Sequence, residues 1–165
     1  MENALPMKKT LLEIVDDYYH RYELSKTVGQ DYFEPGMMEN LDQYFGLYNE
    51  DANIITLRFG LKGLRYDNRT QNIEKLGIGD SVTLVRDNQN VYNSNNFLVM
   101  NKQDSLGTLP AELCDALAPL YDSNNAEILD SKVSYIEKLK DRSRYAKQGV
   151  LFVELKIRLN EIQPF

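Results

Sequence analysis

The chain has 165 residues, one histidine, one cysteine and a net charge of −6. That is enough polypeptide for a self-sufficient core, and too few Cys and His side chains for an intrachain disulfide or a zinc site of the usual kind. No apolar run nears the roughly 20 residues that cross a bilayer, and the basic Met7-Lys8-Lys9 is followed only by Thr10 to Val15 with Glu13 inside it, so neither a membrane span nor a secretory signal is expected and a cytoplasmic location is.

The charge is unevenly placed. Residues 1–50 carry 10 acidic and 4 basic side chains, whereas residues 51–165 carry 15 of each. The first part, 1–50, reads as an acidic, tyrosine-rich helical extension, and it holds six of the eleven tyrosines. Over 9–25, Leu11, Val15, Tyr18 and Tyr22 recur at helical spacing, with Leu12 and Tyr19 beside them. His20 falls in this helix with no nucleophile at helical spacing, which disfavours a catalytic pair. Gly29 and Glu34-Pro35-Gly36 break the pattern. The spacing of Leu41, Tyr44, Phe45 and Tyr48 predicts a second short helix over 37–48.

From residue 51 the texture becomes β-rich. Asn53 to Phe59 reads as a strand, then Gly60 and Gly63 punctuate the chain. Ile78-Gly79-Asp80 is a turn feeding a strand from Ser81 to Arg86. Asp87 to Asn96 is polar and turn-rich, Phe97 to Met100 is the next strand, and Lys102 to Ser105 turns the chain again. Pro110 suits the first turn of a helix, and Leu113, Leu117 and Leu120 mark that helix's apolar face, with Cys114 and Ala118 beside it. Strands follow over 126–136 and 150–159. The order of strands, one helix and more strands favours a small β-barrel, closed or partly open, with the helix plugging one end.

Binding a single nucleic-acid strand needs flat rings for bases and cations for phosphates. Tyr66 and Tyr92, each in a turn-rich stretch, are candidate platforms, although rings at a barrel rim also serve packing. Arg65 offers a planar fork to a phosphate. The loop over 138–147 adds a second cluster, Arg142, Arg144, Tyr145 and Lys147 with Lys138 and Lys140, against Asp141 alone. An enzyme finds little support. Gly77-Ile78-Gly79-Asp80 lacks the Lys and Ser/Thr of a phosphate-binding loop, and Asp67, Asp80 and Asp87 stand at turn positions where Asp bonds locally. No cofactor and no metal are expected.

Three segments, in this order, resemble the HIRAN family: Gly63-Leu64-Arg65-Tyr66; Gly79 to Asp87 running into Asn90-Val91-Tyr92-Asn93-Ser94-Asn95; and Leu106 to Leu113 followed by Ala116 to Leu120. The resemblance covers about two-thirds of the chain, from residue 54 to 159, and makes 51–165 a HIRAN-like domain. It implies an OB-like β-barrel with one capping helix, found alone in bacterial and phage proteins and joined to helicase-like remodelling enzymes of DNA repair. It also implies binding of single-stranded DNA at a free 3′ end. In the family an Arg-Tyr pair like Arg65-Tyr66 grips the terminal nucleotides, and an Asn-x-Tyr-Asp stretch, matched by Asn90, Tyr92 and Asn93, supplies more contacts. This chain departs from the pattern at Asn93, where the family usually has Asp. An amide oxygen there accepts a hydroxyl proton without charge assistance. Thr108 and Ala111 fall where a DNA-binding member carries polar or basic residues. The expected partner is single-stranded DNA or a DNA 3′ end. The alternative is a protein partner bound by the acidic residues 1–50, which would then mimic DNA or occlude the domain's own site.

Overall fold

The computed structural model describes residues 9–27 and 40–160. Thr10 and Glu13 cap the first helix, α1 (Leu11–Thr27), reciprocally. The Glu13 amide donates to Thr10 Oγ1 at 3.2 Å, and the Thr10 amide donates to Glu13 Oε1 at 2.9 Å. Leu11, Ile14, Val15 and Tyr18, at three- and four-residue spacing, are all buried, the three aliphatic side chains each worth about 1.5–3 kcal/mol in transfer alone. None of the described helices is long and apolar enough to span a bilayer.

A 3₁₀ turn, Leu41–Gln43, leads into β1 (Phe45–Asn49) and β2 (Ile54–Gly60). The second helix expected over 37–48 is therefore corrected over its described part, while residues 37–39 lie outside the described residues. The apolar spacing there fits a helix, but β1 pairs antiparallel with β2 from Phe45↔Arg58 to Asn49↔Ile54. Gly46, a poor helix former, has a use in the strand. A Cβ there would collide with the Val15 carbonyl oxygen, so glycine lets α1 lie directly on β1.

The chain continues through a short helix α2 (Arg69–Asn72) with a 3₁₀ turn behind it, then β3 (Thr83–Asp87), β4 (Asn96–Asn101) and β5 (Asp104–Thr108). Helix α3 (Ala111–Asp122) follows, with Pro110 at its N-cap, and β6 (Ala126–Glu137) and β7 (Val150–Leu159) end the described fold. The strands read from the sequence over 53–59, 81–86, 97–100, 126–136 and 150–159 and the helix after Pro110 are all present, with shifted ends. Strand β5 and helix α2 were not anticipated.

Among the described residues seven strands form two antiparallel sheets, in the orders β1-β2-β7-β6 and β3-β4-β5. Two single bridges join them. Lys62 and Thr108 exchange both backbone bonds, at 2.9 and 3.0 Å. Ser81 faces Lys132, with the Val82 amide donating to the Ser131 carbonyl at 3.1 Å. The result is β-rich and barrel-like, but its ring is joined by bridges and not closed by continuous ladders. Inside lie Ile55, Leu57 and Phe59 of β2, Phe97 and Val99 of β4, and Val153, Leu155 and Ile157 of β7, all fully buried. Leu113, Cys114, Leu117 and Ala118 of α3 close one end. Burial pushes the Cys114 thiol up to about 11, so at neutral pH it is an inert core residue.

Candidate nucleic-acid interface

Two loops and the end of a strand build one groove. The first loop follows β2. Gly63 takes a left-handed conformation, φ 74°, and a side chain there would press on the Arg69 guanidinium. Arg69 is buried, and it pins the loop from within. Its Nε donates to Ser105 Oγ at 2.9 Å, its Nη1 to the Gly63 carbonyl at 3.0 Å, and its Nη2 lies 3.5 Å from Asp67. The Thr70 hydroxyl donates to the Leu64 carbonyl at 2.8 Å. With Leu64 buried and the backbone held, Tyr66 is driven outward and is 54% exposed. Arg65 covers one side of it. The guanidinium lies 5.1 Å from the ring centroid and donates to the phenol oxygen at 2.9 Å.

The second loop joins β3 to β4 and is held by amides. Asn90 Oδ1 accepts the Tyr92 and Asn93 amides at 2.9 and 3.0 Å, and Asn93 Oδ1 accepts the Asn95 amide at 2.9 Å. These side chains mimic backbone turns. Asn93 and Asn95 each donate through Nδ2 to Asp115 Oδ1 at 3.2 Å, which ties the loop to α3. Arg86 supports it from below, donating to the Ser94 and Asn96 carbonyls at 2.7 and 3.1 Å and gripping Asp122 with two bonds, at 3.0 and 2.9 Å. That hydrogen-bonded pairing holds the Asp122 carboxyl below its ordinary value. The loop is thereby fixed while Tyr92 at its tip is 94% exposed.

Between the loops, closed by Thr108 at the end of β5, by Leu109 after it and by Ala111 at the start of α3, runs a groove of about 650 Å³. It brings together Tyr66, Asn90, Tyr92, Asn93 and Thr108, five of the ten residues picked from the sequence. Its only carboxylate among the described residues, Asp67, is paired with Arg69. Arg65 and Lys147 line a neighbouring hollow of about 280 Å³ on the far side of the first loop. Arg142 does not join them. It turns inward, 3.3 Å from Glu137 and donating to the Gln148 carbonyl at 2.9 Å. Arg144 and Tyr145 pair with each other on an exposed loop and do not line the groove.

Lys62, Gly63, Arg69 and Asn96 also line the groove and were not picked from the sequence. Lys62 stands just before the Gly63-Leu64-Arg65-Tyr66 segment, and that adjacency was the available signal. Arg69 had none, because a buried arginine after an Asp-Asn turn looks like any surface arginine. Asp80 and Asp87 are engaged locally. Asp80 accepts the Gly77 amide at 2.9 Å, and Asp87 accepts from Asn90 and Asn96 at 3.1 and 3.0 Å.

Comparison with known proteins adds the family. No curated protein matches the chain. Among solved structures, it is similar to the crystal structure of the HIRAN domain of human HLTF, at 26% identity over 62% of this chain and 76% of that one, TM-score 0.45. The HLTF HIRAN domain in its DNA-bound conformation, solved by NMR, shares 25% identity over 76% of this chain and 86% of that one, TM-score 0.40. A Lactobacillus plantarum protein shares 21% identity over 60% of this chain and 90% of that one, TM-score 0.47. The HIRAN domain family model matches residues 54–154, so the chain belongs to the HIRAN family.

Proposed function

We propose that the groove holds the exposed end of a single DNA strand, its free 3′ end, and that the protein works as a binding module without catalysis, in DNA repair or processing or in a mobile element. One observation carries this reading. In an acidic chain, two exposed phenol rings, Tyr66 and Tyr92, flank a concave surface whose single carboxylate among the described residues is already paired with an arginine. A base stacked on either ring gains about 1–3 kcal/mol. Lys62 on the groove wall and Arg65 in the neighbouring hollow, beside Tyr66, are the cations that meet phosphates. Arg65 does so with its guanidinium already oriented by the Tyr66 ring, so less freedom is lost on binding. The amides of Asn90 and Asn93 hold the second ring in place.

Asn93 sets the quality of end recognition. Its Nδ2 serves Asp115 and its Oδ1 already accepts from Asn95. A terminal hydroxyl would use the remaining lone pair of a neutral oxygen, which is weaker than a carboxylate.

The test is fluorescence anisotropy with short single-stranded oligonucleotides ending in a 3′-hydroxyl or a 3′-phosphate, repeated as salt is raised. Micromolar or tighter binding that prefers the hydroxyl and weakens steeply with salt supports the proposal. Equal and negligible binding of both removes it.

A further inference from the structure

Lys62 separates the groove from a second hollow, and it lines both. This hollow, about 400 Å³, is formed where α1 and the turn before β1 lean over the ends of β2 and β7. Arg21, Tyr44, Gly60, Gln148 and Phe152 are among its walls. Among the described residues its lining contains two cations, Arg21 and Lys62, and no Asp or Glu. Arg21 lies outside the span of the family match.

Both cations are pre-positioned. The Lys62 backbone is locked to Thr108 on both of its polar atoms while its side chain is exposed. The Arg21 guanidinium lies 4.7 Å from the Tyr44 ring centroid and 5.3 Å from that of Tyr18. A guanidinium held over aromatic faces keeps its fork free for a phosphate and loses little rotamer freedom on binding. Among the described residues its one ion-pair competitor is Glu112, 3.7 Å from Arg21 Nη2 and also 3.7 Å from Lys9 Nζ.

We infer that a strand whose end occupies the groove continues across Lys62 into this hollow, where its backbone phosphates meet Lys62 and Arg21. The N-terminal helix thereby lengthens the footprint beyond the terminal nucleotides. The inference rests on the end-binding reading, and OB-fold site sizes of roughly 4–16 nucleotides leave room for it.

The experiment measures anisotropy of the full chain with a trinucleotide and an octanucleotide sharing one 3′ sequence. The octanucleotide should bind more tightly. Arg21→Gln should weaken the octanucleotide by about tenfold, the value of one charged hydrogen bond, lower the salt slope by about 1, and leave the trinucleotide unchanged. Glu112→Gln, which leaves Arg21 in place, should tighten the octanucleotide alone. If the trinucleotide binds but the octanucleotide binds no better, or if it ignores both substitutions, the extended track is overturned and end binding stands. If neither oligonucleotide binds, both readings fall. Should Arg21→Gln fail to fold, Glu112→Gln decides by itself, and no gain for the octanucleotide overturns the inference.

Discussion

Arg65-Tyr66 and Arg144-Tyr145 are the same dipeptide in nearly the same pose. Each arginine donates to its tyrosine oxygen at 2.9 Å, and the guanidinium-to-centroid distances are 5.1 and 5.0 Å. What differs is the surroundings. Tyr66 faces a groove whose opposite wall carries Tyr92, on a loop pinned by a buried arginine. Tyr145 is 74% exposed on a loop where the neighbouring Arg142 has been drawn inward to Glu137. A ring and a cation are thus a local product of sequence, whereas a binding site also needs a second wall brought from elsewhere in the chain.

The largest test of that contrast is in stability. Arg69→Met leaves the Gly63 carbonyl and the Ser105 hydroxyl without their buried donor, and should cost about 3 kcal/mol, at the upper end for an unpaired buried polar group. Arg144→Met should cost nothing measurable. Denaturant midpoints of the two variants make the comparison, and similar losses would break it. Next is affinity. Tyr66→Ala should lose about 1–3 kcal/mol of oligonucleotide binding if a base stacks there, and Tyr145→Ala none, as measured by anisotropy. Smaller again is Asn93→Asp. It removes a donor to Asp115 and sets a second carboxylate beside it, for a loss of about 1 kcal/mol of stability at neutral pH.

The smallest effect is pH-dependent. Arg86 holds the Asp122 carboxyl below its ordinary value, so this pair's contribution is complete above the unfolded carboxylate value of about 3.9. It is lost as pH falls through the lowered folded value. Asp122 is half exposed, so solvent screening limits the contribution to less than about 1 kcal/mol. In Asp122→Asn the stability-against-pH curve should flatten below about pH 4. An unchanged acid limb would mean that Arg86 braces the Tyr92 loop through its carbonyl bonds alone.

Legibility followed the range of the interactions. Strands β2, β6 and β7 were readable because they are long and rich in branched residues. Helix α3 was readable because Pro110 marks its start and Leu113 and Leu117 its buried face. Strand β1 was misread because Leu41, Tyr44, Phe45 and Tyr48 satisfy a helical spacing, and only pairing with β2 decides between the two states. Strand β5 escaped notice because it is five residues long with Gly107 inside it, and its order comes from β4 and Lys62. The same division runs through the site. Tyr66 and Tyr92 stood out as exposed rings in turns, and the family resemblance joined their segments. The role of Arg69 and the inward turn of Arg142 depend on partners distant in sequence or on the path of the loop, which no local pattern records.

The seating of α1 and β1 has a practical consequence for anyone trimming the protein. A fragment starting at residue 54, where the family match begins, would discard β1 and leave the β2 edge bare. It would also strip α1 from the sheet, uncovering apolar surface now sealed by Ile14 and Tyr18. Such a fragment offers a ready template for strand pairing between copies, so a minimal expression boundary belongs ahead of the helix.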